Sequence, residues 1–134
     1  MISNRYAVRA LDSSGKCVEG FYYLTSNGVE SRMFAIPTRP GALSVPNVQI
    51  DPDTVVRNTG YAWNNHSVFE HDVFRDDSAG ELWILEVVEH EGCWSLQNIQ
   101  GDIVGTLNGF TTTFPEAYIT GNCVLDKQSL SDYI

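Results

Sequence analysis

The sequence has no apolar run approaching the roughly 20 residues that a membrane-spanning helix needs. Its first residues, Met1 to Arg5, lack the apolar core of a signal peptide, so we expect a cytoplasmic protein with no membrane partner. A chain of 134 residues has the length of one ordinary domain and is long enough to bury a core. We therefore predict a single β-rich domain over residues 1–134, for the reasons given below.

Cysteine is scarce: the chain has three, Cys17, Cys93 and Cys123, and no Cys-x-x-Cys pair. An odd number at wide spacing does not form a disulfide framework. We expect all three thiols to be reduced and mostly buried, as free cysteines commonly are.

The motifs of common enzyme classes are missing as well. The sequence has no Gly-x-Ser-x-Gly elbow, no phosphate-binding loop and no Gly-x-Gly-x-x-Gly. His90 and Cys93 have a usable spacing for metal ligands, but the four-ligand pattern of a zinc site is absent. We predict a protein that is not an enzyme and has no cofactor or metal. A hydrolase built on His71, Asp72 and His90 is kept as an alternative.

Basic residues are few in the second half of the chain. Residues 1–67 carry six basic and five acidic side chains, whereas residues 68–134 carry two basic and twelve acidic ones. This excess of negative charge repels nucleic acid and attracts basic surfaces, including those of proteins that bind nucleic acid. The pattern disfavours direct nucleic-acid binding and favours a basic protein partner. The alternative is an acidic face that only keeps the protein soluble.

Turn signals recur every ~8–12 residues, and the segments between them have the composition of strands. No amphipathic helix of good length is present, and residues 127–134 have room for a short helical turn. The run 81–89 is β-branched and aromatic, which favours a central strand over a helix. The fold class predicted is all-β: a small, strongly bent sheet or a partly open barrel.

Four of the five prolines lie between residues 36 and 53. Proline cannot donate a hydrogen bond to a sheet, so this segment is predicted to be a long loop or an edge excursion. Long loops in small domains are often functional or take part in oligomer contacts. Covering an open sheet edge is the other interpretation.

Two aromatic residues, Tyr61 and Trp63, stand beside turn residues and before the acidic stretch. Exposed aromatic side chains flanked by acids are typical anchors for a basic partner. We therefore predict that both contribute to a binding surface.

Three stretches of the sequence together carry a resemblance to one known family. The first is Tyr6 to Leu11 with the turn that follows it, and the last is Ile119 to Asn122. Between them, Thr59-Gly60 is followed by a polar turn and by Val68 to Val73.

In these stretches the chain resembles the YopX-type proteins of bacteriophages and prophages. Leu11 stands where that family has an aromatic residue, His71 stands where it has a glycine, and Thr120 is one extra residue. The resemblance implies a β-rich fold and a protein that acts in a bacterial host cell. It implies no catalytic residues.

Our leading hypothesis is a phage- or prophage-encoded binding protein that inhibits a bacterial defence enzyme of the CRISPR or restriction type. Its acidic face would occupy the basic nucleic-acid groove of that enzyme. The residues predicted to bind this partner are Tyr61, Trp63, Glu70, Asp72, Asp76, Asp77, Glu86, Glu89 and Glu91.

Two other functions remain open from the sequence. One is a homo-oligomeric sponge for a small nucleotide-like signalling molecule, which Arg32, Arg39 and Arg57 would bind. The other is an accessory structural or replication module of a phage.

Overall fold

The structure is a computed structural model that describes residues 6–24, 31–35, 45–78, 80–109 and 114–134. Within these ranges the chain forms eleven strands and three short 3₁₀ turns, and it has no α-helix. The strands are β1 Val8–Leu11, β2 Cys17–Leu24, β3 Ser31–Ala35, β4 Val45–Gln49, β5 Val56–Trp63, β6 His66–Phe69, β7 Asp72–Asp76, β8 Trp83–His90, β9 Cys93–Gln97, β10 Ile103–Thr106 and β11 Tyr118–Asn122. The predicted all-β fold is confirmed.

Two antiparallel sheets contain these strands. The six-stranded sheet has the order β4-β3-β2-β1-β5-β6, and the five-stranded sheet has the order β10-β9-β8-β7-β11. Each order has two end strands, so neither sheet closes on itself within the described residues. Contacts divide the chain into two compact units, Met1–Ser67 and Val68–Ile134, which are described separately.

One face of the first unit's sheet carries a hydrophobic cluster. Ala10 and Met33 are fully buried there, and Ile50 joins them from the segment that follows β4. Strand residues alternate between the two faces, so Val8 and Val18 reach the same cluster from β1 and β2. Alternation in the sequence predicts Tyr6, Val8 and Ala10 to share this face. Val8 and Ala10 join the cluster, whereas Tyr6 is 75% exposed.

The turn between β1 and β2 is fixed by Asp12. Its carboxylate accepts hydrogen bonds from Ser14 Oγ (2.7 Å), Ser14 N (2.9 Å) and Lys16 N (2.9 Å). The hydrogen bond from the Ser14 hydroxyl, followed by that from Lys16 N–H, lowers the pKa of Asp12 below its usual value. Gly15 supplies the positive φ, +84°, that closes the turn.

The proline-rich segment is described from residue 45 onward, and residues 36–44 lie outside the described residues. Its described part contains β4, which is an end strand of the sheet. Proline is tolerated in such an edge strand. Asp51 N donates to Leu11 O (2.9 Å), and Ile50 forms a bridge with Asp12. These bonds attach the end of the segment to β1.

Two local predictions differ from the structure. The composition of Asn58-Thr59-Gly60 predicts a turn that ends a strand, but β5 continues through it to Trp63. Asn58 Oδ1 accepts from Gly60 N (2.9 Å) and Gly60 has φ +82°, so the chain makes an irregularity inside the strand. The pair Asn108-Gly109 predicts a two-residue hairpin turn, but it lies in the 3₁₀ turn Leu107–Gly109.

The central strands of the second unit bury large apolar side chains. Phe74, Leu85 and Leu96 are buried on one face of β7, β8 and β9.

The predicted C-terminal helical turn is present as a 3₁₀ turn, Leu130–Tyr133, and Arg75 Nη1 donates to Tyr133 O (2.9 Å). The run 81–89 forms β8 from Trp83, as predicted, with paired strands on both sides.

None of the segments that the structure describes forms a helix with the length and apolarity required to cross a membrane.

We expect Thr54→Val to destabilise the first unit. Thr54 is buried, and its Oγ accepts from Leu11 N (2.8 Å) and donates to Asp51 O (2.7 Å). Valine has nearly the same shape but leaves a buried N–H unpaired, which costs ~1–3 kcal/mol. Urea denaturation measures the change, with the exposed Thr106→Val as the control. Equal stability of the two variants would contradict the role given to Thr54.

Candidate functional site

Two of the acids predicted to bind a partner are buried. Asp72 accepts hydrogen bonds from Phe69 N (2.8 Å) and Asn122 Nδ2 (2.9 Å), and only 4% of its surface is exposed. Asp76 accepts from both N and Oγ of Ser78, at 2.9 and 2.7 Å. Buried carboxylates with several donors stabilise the fold and are not available to another protein.

Two further acids, Glu70 and Glu86, lie beside His71. The Nδ1 of His71 is 2.6 Å from Glu86 Oε2, and its Nε2 is 3.9 Å from Glu70 Oε2. His71 has φ +70°, and its backbone bonds to Val87 O (2.7 Å) and to Cys123 N (3.0 Å). The side chains of Glu70 and Glu86 are only 15% and 17% exposed, so they offer little surface to another protein.

The remaining three predicted acids are exposed. Asp77 follows β7, and Glu89 and Glu91 lie at the end of the β8–β9 hairpin. The side chain of Glu91 is 86% exposed, because Glu91 and Gly92 form a tight turn with positive φ. Glu89 lies opposite Trp94 in the register, so a half-buried aromatic ring flanks this acid.

The second unit exposes more acids than the prediction named. Sequence reasoning missed these because they lie in turns and at strand ends, where exposure depends on the fold. The additional exposed acids are Glu81, Asp102, Glu116, Asp126 and Asp132. Of the two bases in this unit, Lys127 is exposed and Arg75 is partly buried. The described surface of the second unit is therefore strongly negative.

The two predicted aromatic anchors lie on β5, in the first unit. Tyr61 is exposed, with 39% of its surface accessible, and Trp63 is half-buried. Asn64 and Asn65, both with positive φ, form the turn that follows them, as the sequence predicts.

The arginines of the ligand-sponge alternative do not share a face. Arg32 is opposite Tyr23, which lies on the same face as Glu19 and Arg9, whereas Arg57 is opposite Val8. By strand alternation, Arg32 and Arg57 project from opposite faces of the sheet. Arg39 lies outside the described residues.

The histidines and cysteines were the candidates for catalysis. His90 and Cys93 are cross-strand neighbours and both are exposed. In the part of the chain that the structure describes, no three His, Cys, Asp or Glu side chains are grouped to hold a metal ion. The hydrolase alternative uses His71, Asp72 and His90. The carboxylate of Asp72 already accepts hydrogen bonds from Phe69 N and Asn122 Nδ2, and His90 Nε2 is 3.9 Å from Glu91 Oε1.

The cysteines are less buried than predicted. Cys17 and Cys93 are exposed on hairpin strands, and Cys123 is half-buried after β11. Burial, together with the charges of Glu86 and Asp126, raises the pKa of the Cys123 thiol to about 12. A thiol that stays protonated at neutral pH is a poor nucleophile.

Comparisons with family models, with curated proteins and with solved structures give no match to this chain. The resemblance to YopX-type proteins stays a prediction that rests on three sequence stretches. His71 has the left-handed backbone conformation that glycine adopts most easily.

We expect Asp72→Asn and Asp77→Asn to differ sharply in stability, although the sequence places both acids in one binding set. Asparagine at position 72 keeps one acceptor oxygen and turns an NH₂ group towards a donor, which costs ~1–3 kcal/mol. Asp77 is exposed, with a side-chain accessibility of 62%, so its replacement has little effect. Urea denaturation of both variants checks this, and an unchanged Asp72→Asn variant would show that the buried bonds contribute nothing.

We expect Cys123 to react with Ellman's reagent at least about tenfold more slowly than Cys93 in the native protein. Its raised pKa lowers the thiolate fraction, and the higher nucleophilicity of that thiolate offsets only part of the loss. Single-cysteine variants made by replacing the other two cysteines with serine give the two rates. In urea the rates should converge. Equal rates in the native state would contradict the shielded position of Cys123.

Proposed function

We propose that this protein is a non-enzymatic inhibitor, encoded by a phage or prophage, that binds a bacterial nucleic-acid-handling defence enzyme. The partner is a CRISPR effector or a restriction nuclease, and it presents a basic groove. The observation that carries the proposal is the strongly negative surface of the second unit, which combines many exposed acids with one exposed lysine. The phage setting comes from the YopX-type resemblance.

The exposed and the buried acids have different parts in this proposal. Glu89 and Glu91 at the hairpin end project into solvent and are available to lysine and arginine side chains of a partner. Asp72, Asp76 and Glu86 maintain the fold that presents them. Charge complementarity of this kind speeds encounter and is screened by salt beyond ~10 Å at 0.1 M.

A basic nucleic-acid groove fits this surface better than nucleic acid itself does. The exposed acids repel phosphate groups, and Arg75, one of two bases in the unit, is bonded to the C-terminal turn. A groove that binds phosphates has the opposite charge, so an acidic protein competes with DNA or RNA for it. Added DNA should therefore displace the inhibitor from its partner.

The test is affinity capture of proteins from a nuclease-treated bacterial lysate by the tagged protein. We expect a basic nucleic-acid enzyme to be retained at about 0.05 M salt and released at about 0.5 M salt, because screening weakens the attraction. Added DNA should release it as well. Failure of the protein to retain any basic nucleic-acid enzyme would overturn the proposal.

We expect the double reversal Glu89→Lys with Glu91→Lys to weaken retention of this enzyme at least about tenfold. Glu86 is left in place because it pairs with His71. The control is Asp53→Lys with Ser13→Lys and Gln49→Lys, which changes the net charge equally at three exposed positions of the first unit. Equal loss in both variants would show that net charge alone matters, and no loss in either would remove the hairpin end from the binding surface.

A further inference from the structure

The second unit has a small cleft of about 270 Å³ at the beginning of β8. Its lining includes Glu81, Leu82 and Trp83 from one segment, and Ile99 and Gln100 from the turn that follows β9. Pockets that hold drug-sized ligands have volumes of ~300–1,000 Å³, so this cleft lies just below that range. Its size suits one long side chain of another protein.

Glu81 gives the cleft a negative charge that the protein itself does not neutralise. The residue is exposed, and among the described residues its carboxylate has no hydrogen-bond donor and no ion-pair partner. Arg75, one of the two bases of the unit, donates to Tyr133 O and has its Nε 4.0 Å from Asp77 Oδ2. A cationic ligand can therefore pair with Glu81 without breaking an existing bond.

Two exposed aliphatic side chains share the cleft with this acid. Leu82 and Ile99 are 39% and 41% exposed, and each belongs to a different one of the two segments that form the cleft. Lysine and arginine side chains lay their methylene stems along apolar surface and keep the charged head at the polar end. A carboxylate beside aliphatic surface therefore suits a basic side chain better than a purely apolar one.

Between the two basic side chains, arginine is the better match. Its planar guanidinium has five N–H donors and can pair with both oxygens of a carboxylate. Gln100 is exposed, and among the described residues its amide makes no hydrogen bond, so it offers a further oxygen acceptor. The ammonium group of lysine is more strongly hydrated and loses more when it enters a partly apolar cleft.

Both walls of the cleft are held in place. In the turn that carries Ile99, Asn98 N donates to Asp102 O and Asp102 N donates to Asn98 Oδ1, both at 2.9 Å. On the other wall, the Trp83 ring packs edge-on against Phe114 with centroids 5.3 Å apart. A cleft that is already formed loses little conformational freedom when it binds a ligand.

We propose that this cleft binds an arginine side chain of the basic partner, with the guanidinium on Glu81 and the stem between Leu82 and Ile99. This inference rests on the proposed function, since it names the kind of side chain that is recognised in the basic groove. Arginines of such grooves pair with phosphate oxygens, and a carboxylate presents a similar pair of acceptors. Glu81 therefore takes the place of a phosphate group.

The first test titrates the ¹⁵N-labelled protein with capped glycine pentapeptides, followed by nuclear magnetic resonance. The central residue is arginine, lysine or citrulline, which has nearly the shape of arginine without its charge. We expect saturable shifts at Glu81, Leu82 and Ile99 with the arginine peptide, and at least about threefold weaker binding of the other two. Equal binding of the citrulline peptide, or shifts only outside the cleft, would overturn the inference. Equal binding of the lysine peptide would overturn the assignment to arginine.

The second test repeats the arginine titration with Glu81→Gln, which keeps the side-chain shape and removes the charge. We expect its affinity to fall at least about threefold, the size typical of one ion pair at a partly exposed site. The control is Asp53→Asn, the matching change at an exposed acid of the first unit. Unchanged affinity in Glu81→Gln, or an equal loss in both variants, would contradict the role of Glu81.

The capture experiment then separates this inference from the proposed function. Weaker retention of the basic enzyme by Glu81→Gln with Leu82→Ser, but not by Asp53→Asn, supports the cleft. Full retention by the cleft variant, together with loss in the Glu89 and Glu91 reversal, would overturn the cleft and leave the proposed function standing. If the unmodified protein captures no basic enzyme, the proposed function fails, and the peptide titrations decide whether the cleft binds arginine.

Discussion

The hydrogen bond from Asn122 Nδ2 to Asp72 Oδ1 organises the second unit. Asn122 also donates to Glu70 O, and its Oδ1 accepts from Val124 N and Leu125 N, so one side chain joins a hairpin turn to the C-terminal segment. Next to it, Gly121 leaves no room for a side chain, because a Cβ there would lie 2.6 Å from the Tyr133 ring. Residues about fifty positions apart are thereby fixed in one place.

This arrangement explains why the acids of the second unit are not equivalent. Those near the organising bond, Asp72 and Glu86, are used as acceptors for the backbone, for Asn122 and for His71. Asp77, Glu89 and Glu91, at strand ends and turns, are exposed to solvent. We expect a charge change at these exposed positions to affect stability less than a change at the buried Asp72.

The sequence alone determined the all-β class, the strand in the run 81–89 and the concentration of acid in the second half, because these depend on local propensity and on counting. It did not determine which acids are exposed. Asp76 and Asp77 are neighbours in the sequence, yet Asp76 is buried and accepts hydrogen bonds from Ser78, whereas the side chain of Asp77 is exposed to solvent. The continuation of β5 through Gly60 was also beyond prediction. Burial, strand register and relative strand length arise from contacts between distant segments, so only the tertiary structure decided them.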